Sequence, residues 1–140
     1  MEFPYITATL AGVLVILQQA LMLNVGLHRV QTRIGVGVAE DWHLERKVRR
    51  HGNLAENAAL LLVVLALAEL SGAPKSVIAA FAGVFAVARI SHALGFSHLD
   101  GSHNADGNKL YTALRAVGAF GSVMGGIGLG GYLLYRLLGA

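Results

Sequence analysis

The sequence predicts an all-α protein that crosses a lipid bilayer four times. Composition is the first reason. Of 140 residues, 55% are hydrophobic and 14% charged, where a soluble domain carries about 25% charged residues, and mean hydropathy is +0.60. The second is pattern: the apolar residues fall in long runs, not in alternation. In hydrocarbon only helices and closed barrels satisfy every backbone polar group, so unbroken runs specify helices. The third is length. One crossing takes about 20 mostly apolar residues, and the windows 5–30, 54–70, 76–96 and 110–138 each supply a crossing.

The first helix is expected over 5–33. The residues before Leu10 contain no basic segment, and no short apolar core followed by a small-residue cleavage site appears, so this helix reads as a retained span. Ile34-Gly35-Val36-Gly37-Val38 reads as a loop. The second helix is expected over 42–70: its apolar part begins at Leu54, but periodic polar residues run back to Trp42, so a polar foot projects beyond the bilayer. Ser71-Gly72-Ala73-Pro74 is a tight turn with proline where a new helix starts. The third helix follows over 75–97, and a link carrying Gly101, Asn104, Asp106 and Gly107 leads to the fourth, over 108–138. The whole, 1–140, reads as one domain. In the fourth helix Gly121/Gly125 and Gly126/Gly130 have the small-xxx-small spacing that brings helices together within a bundle or between subunits.

A net charge of +3 and a pI near 9.6 do not indicate nucleic acid, because the basic residues sit at helix ends. Arg29, Arg33, Arg46, Lys47, Arg49 and Arg50 flank the first loop and Lys109 and Arg115 the third, while the opposite end has Lys75 and Arg136. The positive-inside rule then places loops one and three in the cytoplasm and both termini outside. With no cysteine, disulfides, thiolate metal sites and a cysteine nucleophile are excluded, and any thiol chemistry belongs to a ligand.

Polar residues inside an apolar helix mark candidate sites. Arg49, Asn53 and Glu56 stand at i, i+4 and i+7, one stripe offering a cation, an amide and an anion. A carboxylate at the edge of hydrocarbon needs a partner, and Arg89 of the third helix is the expected one for Glu56. Arg89, His92 and Phe96 form a second stripe. A Glu56–Arg89 pair that only fixes packing is the alternative to a ligand site. His28, His43, His51, His92, His98 and His103 show no metal-ligand spacing, so no metal is expected. Glu69, at a helix end, reads as an interfacial carboxylate.

Glu45-Arg46 followed by Arg49-x-His51-x-Asn53-x-x-Glu56, entering an apolar helix, resembles the signature of the MAPEG family, the membrane-associated proteins in eicosanoid and glutathione metabolism. Ala88-Arg89-Ile90-Ser91-His92-Ala93-Leu94-Gly95-Phe96 is similar to the family's Ala-Arg-x-x-Tyr-x-x-Gly-Tyr pattern, and Tyr111-x-x-x-Arg115 matches near the start of the fourth helix. The resemblance covers nearly the whole chain. It departs where the best-studied eicosanoid members have tyrosines, here His92, Phe96 and Asn57. It departs again in the link into the fourth helix, which around His103 to Asp106 lacks their arginine. These departures fit a prokaryotic branch, in a bacterial inner membrane.

The resemblance implies a homotrimer of four-helix subunits binding glutathione between neighbours near the cytoplasmic face. Glutathione is then the co-substrate of a transferase or peroxidase acting on lipophilic electrophiles or lipid hydroperoxides. Arg29, Arg33, Arg49, Asn53, Glu56, Asn57 and Arg89 would hold the tripeptide, whose two carboxylates and ammonium they complement. His92, His103 or Arg115 would stabilise its thiolate. Two other readings compete with the enzyme: a non-catalytic lipid- or ligand-binding protein of the same fold, and a structural or transport-related bundle.

Overall fold

The computed structural model describes residues 2–99 and 108–139. Its helices are α1 (Tyr5–Thr32), α2 (Trp42–Leu70), α3 (Lys75–Gly95) and α4 (Lys109–Leu138), with no strand among the described residues. All four are long and apolar enough to cross a membrane, which makes this an integral membrane protein. At 1.5 Å per residue α3 is about 31 Å long, close to the roughly 30 Å of a hydrocarbon core, whereas α2 is about 43 Å long. The excess is its first turns, which carry Glu45, Arg46, Lys47, Arg49 and Arg50.

The helices alternate in direction, with the most extensive contacts between α3 and α4 and between α1 and α2. Leu14, Leu54, Leu65, Ile78, Phe85 and Leu129 are buried at the centre, while Ile16, Leu23, Leu60, Phe120 and Ile127 point outward. In lipid an outward leucine costs nothing, so burial alone does not drive these helices together; close packing and polar contacts do.

Polar contacts fasten the helix ends. Pro4 provides no side-chain cap for α1. Instead Glu69, from the last turn of α2, accepts from Ile6 N (3.0 Å), Thr7 N (2.9 Å) and Thr7 Oγ1 (2.7 Å). An anion at a helix N-terminus meets both unpaired N–H groups and the favourable end of the dipole, so Glu69 is a structural clamp beyond a mere interfacial carboxylate. On the same side Arg136 donates to Ser71 O at 2.9 Å. At the other end Arg46 donates to Phe96 O (2.8 Å) and Ser97 O, closing the C-terminus of α3.

Close packing is concentrated between α3 and α4; the spaced pair Gly121/Gly125 lies on this seam, but the tightest approaches are at two glycines outside the spaced pairs. A Cβ on Gly118 would stand 2.5 Å from His92 Cβ and 2.7 Å from Ala88 O, and one on Gly95 would stand 2.5 Å from Arg115 Cγ. At Gly121 the nearest atom is Ala88 Cβ at 3.1 Å, and at Gly125 the contact is an ordinary 3.6 Å. Gly126 and Gly130 would meet nothing within 4 Å. The α4 glycines thus serve two faces: one seated on α3, one open.

Loop one is built around its charges. Arg29 Nη1 donates to Ile34 O (3.1 Å) and Gly37 O (2.9 Å), and Arg33 ends α1 in the left-handed region at φ 59°. Asp41 caps α2, accepting from His43 N (2.9 Å) and Leu44 N (3.0 Å). Lys47 donates to His28 Nδ1 at 2.9 Å, so the imidazole proton lies on Nε2, which donates to Asp41 Oδ2 at 2.7 Å. Chiefly because of that His28 bond, and then the backbone N–H of Leu44, the Asp41 carboxyl lies below its ordinary value of 3.8. A lowered folded-state pKa stabilises above the unfolded value and ceases to as pH falls through the folded one. Acid titration followed by the fluorescence of Trp42, the single tryptophan, should therefore show the Asp41 contribution to loop one being lost below pH 3.8. Asp41→Asn should remove that transition; an unchanged titration would assign it elsewhere.

Candidate functional site

The two polar stripes do meet, but not as an ion pair. Arg89 is 2% exposed and lies between α2, α3 and α4. Its Nη1 donates to Asn53 Oδ1 at 2.8 Å, and its Nη2 donates to Gly118 O at 2.8 Å and to Ser122 Oγ. Ser122 in turn donates to Gly118 O at 2.7 Å, and Phe85 lies under the guanidinium, 5.6 Å away. The expected Glu56–Arg89 pair is absent. Asn53, one turn nearer the start of α2 on the same stripe, takes the arginine, and fixed neutral dipoles from two helices satisfy its two terminal nitrogens, while Nε is buried with no partner among the described residues. Glu56 is exposed, and its side chain lies back along α2, with Oε1 3.8 Å from where a Gly52 Cβ would stand.

Cations gather toward the loop-one end. Arg49 is largely exposed and pairs with Glu45 at 3.1 Å, a surface pair worth under about 1 kcal/mol and easily exchanged for a ligand. Arg115 lies over the Phe96 ring at 4.1 Å, in the notch left by Gly95, and within electrostatic reach of Arg49. His92 is 7% exposed. It is wedged beneath Gly118 and packs on Phe96 at 4.8 Å, so it orders the α3–α4 seam instead of facing an open site. His98 stacks on Tyr111 at 5.4 Å. His51 Nε2 accepts from Gln18 Nε2 at 2.7 Å, on the α1 side of α2. His103 lies outside the described residues.

Of the other candidates, Arg29 is engaged with the loop-one carbonyls, and Arg33 is exposed at the end of α1. Asn57 Nδ2 donates to Asn53 O at 2.8 Å, leaving its Oδ1 as an acceptor. Below Glu56 and Asn57 a groove of about 370 Å³ runs between α2 and α4, floored by Phe85 and Leu129 and bounded by Leu60, Val64, Gly126 and Gly130. Ser122 was not anticipated, though a signal existed: it is the one serine within the fourth apolar window. Arg46 is legible as a topology charge and as part of the Glu45-Arg46 signature, but its bonds to the end of α3 are not, because nothing local in the sequence says that the end of α3 lies beside it.

The arrangement is that of a four-helix membrane bundle with cations gathered toward one end and an apolar groove, topped by Glu56 and Asn57, between α2 and α4. The family model described as "MAPEG family" matches residues 7–135. The chain belongs to the MAPEG family. Neither a curated protein nor a solved structure matches it.

Proposed function

We propose that the protein is a membrane-bound glutathione-dependent transferase or peroxidase of lipophilic electrophiles or lipid hydroperoxides, working as a homotrimer. The observation that carries this is the juxtaposition of opposite solvation demands. Arg49 and Arg115 stand within electrostatic reach of one another, and Glu56 and Asn57 lead from them into an apolar groove. A zwitterionic thiol and an oil-soluble acceptor need that adjacency.

The residues fit the tripeptide by charge. Arg49 and Arg115 suit its carboxylates, Glu56 its ammonium, and the Asn53 amide, oriented by Arg89, its peptide groups. Arg33 of a neighbouring subunit would add a cation across a trimer interface. Bound glutathione supplies a thiol for attack on an electrophilic carbon or a peroxidic oxygen. Arg115 is the cation best placed to favour the thiolate over a thiol of ordinary pKa about 8.5, since Phe96 and the Gly95 notch fix its guanidinium. With the cationic loops facing the cytoplasm, the thiol is taken from that side.

Calorimetric titration with glutathione in detergent, followed by turnover with an aryl halide and a lipid hydroperoxide, tests the reading. Binding with turnover supports it; no binding across the millimolar range removes it. Arg49→Ala is expected to weaken binding about tenfold or more, as loss of a charge-assisted bond of roughly 1.5–3 kcal/mol implies, and Asn53→Ala about two- to tenfold, as loss of a neutral bond of roughly 0.5–1.5 kcal/mol implies, with oligomer size unchanged in both. Loss of assembly with affinity intact would instead support a packing role for the stripe.

A further inference from the structure

The end of α3 beside Arg115 is held from another helix. A helix leaves its last carbonyls without an intrahelical partner, and α3 ends without a glycine or a left-handed residue to turn the chain back. Phe96, its C-cap, has φ −87° and ψ 7°. The closure comes instead from α2, where the half-buried Arg46 donates through Nη1 to Phe96 O at 2.8 Å and to Ser97 O, 50 and 51 residues away in the chain.

What this closure keeps in place is the seat of Arg115. Gly95 and Phe96, the last helical residue of α3 and its cap, each supply one contact. Arg115 Cγ fills the notch at Gly95, 2.5 Å from where a Cβ would stand, and its guanidinium carbon lies 4.1 Å from the centre of the Phe96 ring. A swing of the α3 end therefore moves the cation with it. At an effective dielectric constant of about 20, drawing two unit charges apart from about 4 Å to about 6 Å weakens their attraction by roughly a factor of ten in equilibrium constant. A displacement of about 2 Å is thus enough to change how strongly the guanidinium favours a thiolate over a thiol.

We infer that Arg46 is the positioning residue for Arg115: by pinning the end of α3 it fixes the Phe96 ring and so holds the Arg115 guanidinium at its working place. Its effect on rate rests on the proposed glutathione chemistry, whereas the link from Arg46 through Phe96 to Arg115 is a property of the protein alone. The role differs from that of Arg49 and Asn53, which hold the tripeptide. Substituting Arg46 changes the ionisation of the thiol and the rate, and leaves affinity nearly as it was. The charged and titratable groups about Arg115 are Arg49 on α2, His92 on α3 and, one turn away on α4, Tyr111 with His98 stacked on it. The Arg46 bonds go to backbone carbonyls and to none of these side chains.

Arg46→Met keeps the stem and removes the donors. It is expected to lower kcat at neutral pH about tenfold and to raise the midpoint of the kcat–pH profile by about one, the equivalent of that factor, with glutathione affinity changed less than about twofold. Both Arg46 bonds leave from one nitrogen, so a lysine ammonium can make them, and Arg46→Lys should restore most of the rate. In an Arg115→Ala background Arg46→Met should cause no further loss, because the two residues act as one unit. An unmoved pH profile, or losses that multiply in the double variant, would overturn the inference. Should Arg46→Met not assemble, Phe96→Leu keeps the Arg46 bonds to the backbone and removes only the ring; the same shift of the profile is expected, and its absence overturns the link. A second arm needs no glutathione. In nuclear magnetic resonance spectra of the full-length protein with isotope-labelled arginine side chains, the Arg115 Nε–H signal, assigned by its loss in Arg115→Lys, is expected to be displaced by the Phe96 ring. That displacement should vanish in Arg46→Met as it does in Phe96→Leu; its loss in Phe96→Leu alone would show that Arg46 does not hold Arg115. If the unsubstituted protein neither binds nor turns over glutathione, the proposed function falls, and these spectra still decide the link.

Discussion

Gly118→Ala is expected to destabilise the protein by about 3 kcal/mol, although alanine is ordinarily the better helix former. Relative to glycine, alanine gains roughly 0.5–1 kcal/mol in a helix interior. At Gly118, however, the new methyl would stand 2.5 Å from His92 Cβ, 2.7 Å from Ala88 O and 2.7 Å from His92 N. Two of those three neighbours are backbone and cannot rotate away, so α4 must move off α3. Overpacking a tight contact costs about 1–3 kcal/mol, occasionally more, and here the displacement also stretches the Arg89 bond to Gly118 O. Thermal unfolding in detergent measures the effect. The control lies on the same helix: Gly126→Ala and Gly130→Ala face open space and should be neutral or stabilising by about 0.5 kcal/mol. Equal effects at Gly118 and Gly126 would mean that α3 and α4 do not approach closely at this point.

Arg89→Leu should cost about 3 kcal/mol as well, for a different reason. Two terms oppose one another. Removing the guanidinium relieves the expense of holding a charge in an apolar surrounding, which on its own favours leucine. Against that, the Asn53 carboxamide, the Ser122 hydroxyl and the Gly118 carbonyl, from α2 and α4, lose a shared donor, and each buried group left unpaired costs about 1–3 kcal/mol. Ser122 keeps Gly118 O as an acceptor for its proton, so the loss is less than the full sum, but it exceeds the relief. Ser122→Ala should cost only about 1 kcal/mol, since Arg89 still reaches Asn53 and Gly118. A stable Arg89→Leu protein would show that relief of the buried charge dominates.

Much of this architecture is legible in the residues, and the part that is not has a common cause. The four crossings follow from apolar runs, because a bilayer imposes length and backbone satisfaction locally. The meeting of the α2 and α3 stripes also follows from spacing. What spacing does not give is which member of a stripe is taken. Asn53 and Glu56 share one face of α2, and charge alone favours Glu56; the depth and rotation of α3 decide for Asn53. The same limit applies to glycine. Gly118 has no i+4 glycine partner, yet it sits at the tightest α3–α4 contact, whereas the Gly126/Gly130 pair has the motif and faces a groove. Glu69 left a usable trace: a first helix with no acidic residue and no capping side chain at its start, and a carboxylate at the end of the antiparallel next helix. His92 stands where the family pattern has a tyrosine, but only the structure reveals that it is enclosed in a seam.

The Glu69 clamp bears on how the chain enters the membrane. Both halves of it, the acid on the last turn of α2 and the N–H groups on the first turn of α1, are made before α3 is synthesised. The opposite end of the same hairpin is closed by Lys47, His28 and Asp41, also within α1, α2 and their loop. A nascent α1–α2 hairpin therefore carries its own fastenings at both ends, and the Glu69 carboxylate has its donors in the same unit. Arg89 has no such provision, since its acceptors include Gly118 and Ser122 on the last helix. Biogenesis is thus divided between an early hairpin that satisfies itself and a late one whose buried cation is fully accommodated only when α4 arrives.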